Sequence, residues 1–259
     1  MKVPGVKWRM VLVRPRNPLN IGAAARAMAN FGFDDLIVVA PFDPVWREAR
    51  SAVGAGHVLT SARVTDRLPE AIGDCNFVVG TTTGSRRNLD RDPVLLTDFT
   101  SAAVKLPARA RAAVLFGSEK TGLLNDHLSY CHLLVRIPTT AECPSMNLGQ
   151  SVAVVCFELA RAAGFPQAAA ATGRAHLSLR ANIQSLDHIL DRAARLLDQA
   201  GYFKPKGKQA QVLKLRRLLI ELGLSNHDVR VLGGVLAQLE WKLSTSRAFD
   251  GKGRPDEQG

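Results

Sequence analysis

Four stretches of the 259-residue chain place polar or charged side chains where an apolar, strand-like run gives way to a loop or helix. In RPRNPLNIGAAARAMANFG, Asn17 and Asn20 suit a turn and a helix N-cap, Pro18 fixes the turn, and Gly22 to Ala25 are small enough for a helix to pack closely on a sheet. Packing does not explain Arg26, one turn beyond Gly22 on an otherwise small, apolar helix; a surface arginine with its stem laid along the helix is the plain alternative. In LFGSEKTGL the two glycines allow a backbone to approach a ligand. The order is not that of a P-loop, because Lys120 precedes Gly122, which argues against a nucleotide triphosphatase. GTTTGSRRNLDRD leaves a strand with three threonines and then two arginines, either a solvated loop or a small-molecule contact beside a phosphate-binding pair. IPTTAECPSMNL sets Thr139, Thr140, Glu142, Ser145 and Asn147 between two elements that both look like core, locally an ordinary strand-to-helix turn with a capping serine.

Other chemistries lack their residues. VGAGH misses the third glycine of a dinucleotide fingerprint and follows no convincing strand. No catalytic triad and no H-E-x-x-H occurs, the six histidines are scattered, and His132 beside Cys131 reads as a strand start. The four cysteines have no C-x-x-C spacing, and MKVPGVKWRM has no apolar signal run, so a cytoplasmic protein with reduced thiols and no membrane association is expected. The net charge of +11 favours a polyanionic partner such as nucleic acid. Residues 1 to 173 hold 19 basic and 14 acidic side chains and residues 174 to 259 hold 15 and 9, so the C-terminal part is the more densely positive.

The elements that must position these residues alternate. Met10 to Arg14, Asp35 to Ala40, Phe77 to Thr82, Ala112 to Gly117 and His132 to Pro138 read as buried strands, and helical patterns lie between them. Continuous apolar strands separated by helices predict an α/β fold with a mostly parallel sheet covered on both faces. Ligands then bind beyond the carboxyl ends of the strands, where the four stretches fall. After an Ala, Gly and Pro-rich segment near Gly164 to Arg174, only helical stripes follow: Leu179 to Leu197, Val212 to Leu222 and Leu232 to Leu239. These predict a small all-helical extension. The expected organisation is an α/β domain over 1–164, a linker over 165–174, the extension over 175–246 and a disordered tail over 247–259.

Three motifs in order, N-x-x-N-x-G-x-x-x-R, L-F-G-S-E-x-x-G-L and I-P-x(6)-S-M-N-L, resemble those of the SPOUT-class RNA 2′-O-methyltransferases of the TrmH family, over about residues 8 to 164. The helical C-terminal part is similar to the extension of the TrmJ branch, which methylates the ribose at tRNA position 32. The resemblance implies a SPOUT fold with a deep C-terminal trefoil knot, a topology that general rules of connectivity would exclude. It implies S-adenosylmethionine as cofactor, S-adenosylhomocysteine as product and no metal. Cofactor contacts would fall on Thr81, Thr82, Thr83, Gly117, Ile137, Pro144, Ser145 and Met146; Pro144 has no N–H and would use its carbonyl or ring. Met146 replaces the commoner leucine of the third motif.

Arg26 matches the family's catalytic arginine. As a guanidinium is effectively never deprotonated, its expected role is electrostatic, with Asn17 and Asn20 orienting it and the ribose. Glu119 would organise the second loop, and Ser145 with Asn147 would position the acceptor nucleotide. The resemblance also implies tRNA as partner and a homodimer, packed through the apolar helix Val152 to Leu159, with an active site shared between chains. Arg86, Arg87, Lys204, Lys206, Lys208, Lys214, Arg216 and Arg217 are candidates for the RNA backbone. The competing readings are methylation at another tRNA or rRNA ribose, a non-catalytic RNA-binding knot protein, and an unrelated doubly wound nucleotide enzyme.

Overall fold

The first strand, β1 (Lys7–Val13), sends Trp8, Met10 and Leu12 to one face of a sheet and Arg9, Val11 and Val13 to the other, nearly all of them buried. A strand buried on both faces needs cover on both, and the computed structural model provides it. It describes residues 6–43, 46, 52–83, 91–163, 179–204 and 206–250. The chain continues as α1 (Pro18–Asn30), β2 (Asp35–Val39), α2 (Gly56–Ser61), β3 (Arg63–Thr65), α3 (Leu68–Ile72), β4 (Phe77–Thr81), β5 (Val94–Leu95) and α4 (Leu96–Ala103). It then forms β6 (Arg111–Phe116), α5 (Asn125–Leu128), β7 (Leu133–Arg136), α6 (Leu148–Ala162), α7 (Ile183–Gln199), α8 (Lys208–Leu222) and α9 (Asn226–Asp250).

All strand pairings are parallel, in the order β3-β2-β1-β6-β4-β7-β5. Residues of α1, α2, α4 and α6 join Trp8, Met10, Leu12, Val114 and Phe116 in one core. Residues of α3, α5, α7 and α8 join Val11, Val13, Ala113 and Leu115 in the other. The α/β expectation holds, and β7 lies between β4 and β5, which follow one another in the chain. The connection from β4 to β5 includes residues 84–90, outside the described residues.

The extension is less separate than its stripes predict. Ala181, Ile183, Leu186 and Ile220 belong to the second core of the sheet. Ile183 N–H donates to Cys75 C=O at 3.0 Å, Gln184 N–H to Gly73 C=O at 2.9 Å, and the Asn76 amide to Arg180 C=O at 2.7 Å. The helical stripe identifies α7 correctly but cannot show that its apolar face meets α3 and the sheet as well as its two sister helices. The expected linker 165–174 lies outside the described residues; of the expected tail 247–259, residues 247–250 belong to α9 and the rest lie outside the described residues.

Candidate active site

The first two motif loops leave the adjacent strands β1 and β6, and the third leaves β7, which β4 separates from β6. The loop after β6 starts at Gly117, where an added Cβ would sit 2.1 Å from the carbonyl carbon of Gly122. The loop doubles back on itself, with Gly122 N–H donating to Ser118 C=O at 2.7 Å and Gly122 at φ +63°. Gly117 is therefore required by the loop's own backbone, a closer neighbour than the ligand expected there. The tight turn presents Glu119.

Glu119 gathers the loop that follows β1. Its Oε2 accepts from Arg16 N–H at 2.9 Å, and its Oε1 accepts from Asn17 N–H at 3.1 Å and the Asn20 amide at 2.8 Å. Burial pushes this carboxyl up, but the hydrogen bonds from Asn20, from its own backbone and from Arg16 and Asn17 together bring it below the ordinary glutamate range. It stays ionised at neutral pH as an acceptor. Asn17 Oδ1 caps α1 by accepting from Leu19 N–H at 2.9 Å, with Pro18 in the first turn.

The third loop joins the same network. Asn147 Oδ1 accepts from Gly149 N–H at 2.9 Å and Gln150 N–H at 3.3 Å, capping α6, while its amide donates to Asn20 Oδ1 at 2.9 Å. Asn20 is thus fixed at both ends, between Glu119 and Asn147. Close approach of α1 and α6 makes this possible: a Cβ on Gly149 would lie 2.7 Å from the Ala23 Cβ.

Several expected roles change. Asn147, not Ser145, caps α6, and its amide and carbonyl both bond within the chain, so it braces the loops. Asn17 and Asn20 bond Glu119 and α1, with no hydrogen bond to Arg26. Arg26 is exposed on α1, and among the described residues no hydrogen bond or ion pair holds it. The Thr81 hydroxyl donates to Leu115 C=O at 2.9 Å and Thr82 N–H to Val135 C=O at 2.9 Å, so these groups join β4 to its neighbours. Pro144 C=O accepts from the Thr139 hydroxyl at 3.1 Å. Thr83 and Ser145 are exposed, and Ile137, Pro144 and Met146 are half-buried.

Among the RNA candidates, Arg86 and Arg87 lie outside the described residues, while Lys204, Lys206, Lys208 and Lys214 are exposed. Lys208 pairs with Asp198 at 2.7 Å. Arg217 is half-buried, and Arg216 is committed to the fold. The Arg216 guanidinium lies 4.1 Å from the centre of the Tyr130 ring and meets Asp126 at 3.3 Å and Asp187 at 3.5 Å. It fastens α8 to α5, the loop after it and α7, unlike the exposed lysines of the same set. On α6, Val152, Val155, Cys156 and Leu159 are core residues of their own chain, so the outer side of that helix carries Phe157 instead.

A model of the SpoU rRNA methylase family matches residues 7–157, the span that carries all three loops. The chain belongs to this family. Its parallel sheet and helical C-terminal part make up the SpoU, or SPOUT, methyltransferase fold. The chain is 31% identical over 250 residues to the tRNA (cytidine/uridine-2′-O-)-methyltransferase TrmJ of Sodalis glossinidius, covering 95% of this chain and 97% of that one. It is 32% identical over 244 residues to the tRNA (cytidine/uridine/adenosine-2′-O-)-methyltransferase TrmJ of Pseudomonas aeruginosa, covering 90% and 93%. The crystal structure of TrmJ from Z. mobilis ZM4 superposes with a TM-score of 0.77 at 31% identity, over 90% of this chain and 98% of that one. In this SpoU methylase the sequence identified the loops and missed their bonds: Asn147 to Asn20 between two of them, and Thr139 to Pro144 within the third. The N-cap preference of asparagine was the one available signal for Asn147.

Proposed function

We propose that this chain transfers a methyl group from S-adenosylmethionine to the ribose 2′-hydroxyl of nucleotide 32 in the anticodon loop of tRNA. The observation that carries the reading is the continuous bond from Glu119 through Asn20 to Asn147, which holds three motif loops together and leaves Arg26 open to solvent. The likeness to tRNA methyltransferases over nearly the whole chain supports tRNA as substrate. Methylation of another tRNA or rRNA ribose is the alternative that site mapping separates.

The residues present fit the cofactor. The loops beginning at Thr81, Gly117 and Ile137 leave three adjacent strands, β6-β4-β7, and Ile137, Pro144 and Met146 offer half-buried apolar surface for a purine. When bound, S-adenosylmethionine supplies an electrophilic methyl on a sulfonium. The protein's part is alignment and charge. Arg26, always protonated, holds a phosphate beside the acceptor and stabilises negative charge developing on the 2′-oxygen. Thr83 and Ser145 offer exposed hydroxyls to the bound molecules. Among the described residues no cluster of His, Cys, Asp or Glu is arranged to hold a metal, and no helix is long and apolar enough to cross a membrane.

The same reading includes the trefoil knot, a cytoplasmic location and a homodimer whose chains complete each other's sites. The experiment is Arg26→Ala. Transfer of labelled methyl groups to tRNA is expected to fall at least about a hundredfold, the scale of one lost electrostatic stabiliser, while S-adenosylmethionine binding by calorimetry stays within about twofold. Near-normal turnover would remove Arg26 from the mechanism.

A further inference from the structure

Phe42 lies just past the carboxyl end of β2, and 70% of its surface is exposed, an unusual setting for a residue whose stabilising value comes from burial. It is nevertheless placed. Phe42 N–H donates to Pro15 C=O at 3.0 Å, and the turn before it includes Ala40 at φ +44°, a conformation that a non-glycine residue adopts only when its surroundings impose it. Ala40 N–H in turn donates to Thr65 C=O at 2.8 Å. The Arg16 guanidinium sits over the Phe42 ring, 4.6 Å from its centre. Arg16 N–H is itself bound by Glu119, so the pair is anchored to the carboxylate that organises the active-site loops.

We infer that Arg16 and Phe42 form a stacking platform for an unpaired nucleobase of the RNA substrate, next to the nucleotide whose ribose is methylated. This rests on the RNA methyltransferase reading above. An exposed aromatic face backed by a cation offers sequence-tolerant stacking, and Arg16 can also meet the adjoining phosphate. No apolar core explains the ring's position, and its location on the loops at the strand ends gives it access to RNA entering the site. Neither residue belongs to the three motifs.

The test uses the full-length protein, an unmodified tRNA transcript and the variants Phe42→Ala, Phe42→Leu, Phe42→Trp and Arg16→Ala. Phe42→Ala and Phe42→Leu should each raise KM for the transcript at least about fivefold, with kcat and S-adenosylmethionine affinity unchanged, and Phe42→Trp should restore it. Arg16→Ala should flatten the dependence of log binding on log salt by about one unit, whereas Phe42→Ala should leave that slope intact. If wild type methylates the transcript and Phe42→Ala does so with the same KM, the platform is refuted and the enzyme reading stands. Rescue by Phe42→Leu, or loss of dimer in Phe42→Ala by sedimentation, would make the ring an apolar contact and also overturn the inference. If wild type neither binds nor methylates the transcript, the enzyme reading itself fails.

Discussion

Glu119, Asn20 and Asn147 differ from Arg26 in what they are free to do. The first three spend their polar atoms on one another, on Arg16 and Asn17, and on the start of α6, so their contribution is to fix loops that are about a hundred residues apart in the chain. Because Asn20 links the other two, Asn20→Ala and Asn147→Ala should not be additive. Each alone should lower kcat/KM by about ten- to a hundredfold, and the double variant should be little worse than the poorer single. Simple multiplication of the two losses in a methyl-transfer assay would show that the pair does not act as one unit. The residue types at this site were legible because arginine, asparagine and glutamate stand out at the ends of apolar runs. Their bonding was not, because a hydrogen bond between positions 20 and 119 leaves no local periodicity.

At the scale of elements, long buried strands announce themselves and short ones do not. β1, β2, β4 and β6 are continuous apolar runs, and each agrees with its expected span to within a few residues. Arg63–Thr65 and Val94–Leu95 are too short and too exposed to show a pattern, and their pairing with β2 and β7 is set by distant chain. The helix α6 was legible as apolar, while its division into an inner and an outer side was not. Its inner side is spent on the chain's own core, and Phe157 stands outside, 42% exposed and edge-on to Phe31 at 5.7 Å, with Leu19 of the adjoining α1 54% exposed. This face is the dimer contact in the proposed assembly. Phe157→Glu should turn a dimer into a folded monomer in sedimentation velocity at micromolar concentration, since a buried unpaired charge is strongly unfavourable at an interface. A wild type that sediments only as monomer would contradict the shared active site.

For the whole molecule, the two faces of one sheet hold the catalytic loops and the helical extension together. At the opposite end from the site, buried Arg9 joins β1 to Asp35 at 2.9 Å and Asp74 at 2.5 Å, and Arg111 also bonds Asp74. Burial pushes the Asp74 carboxyl up, but the hydrogen bond and charge of Arg9, followed by those of Arg111, bring it down to about 2 from 3.8. The unfolded chain therefore takes up this proton first as pH falls. The stabilisation is complete above the ordinary aspartate value and is lost as pH drops toward the folded one. The melting temperature should fall between about pH 5 and pH 2, and Asp74→Asn should start lower and fall less steeply. Equal slopes would assign the acid sensitivity elsewhere. Fold class and the presence of a helical extension were legible in the sequence. Sheet order, the insertion of β7 and the docking of α7 on α3 were not, because each depends on contacts between distant segments.

The most direct test of the central claim is to incubate the protein with labelled S-adenosylmethionine and unmodified tRNA, and then map the label by alkaline hydrolysis. A 2′-O-methyl ribose blocks cleavage at its own linkage. The account predicts one labelled, alkali-resistant linkage, after nucleotide 32 of the anticodon loop. Label on an alkali-sensitive nucleotide, or no transfer to tRNA at all, would contradict it.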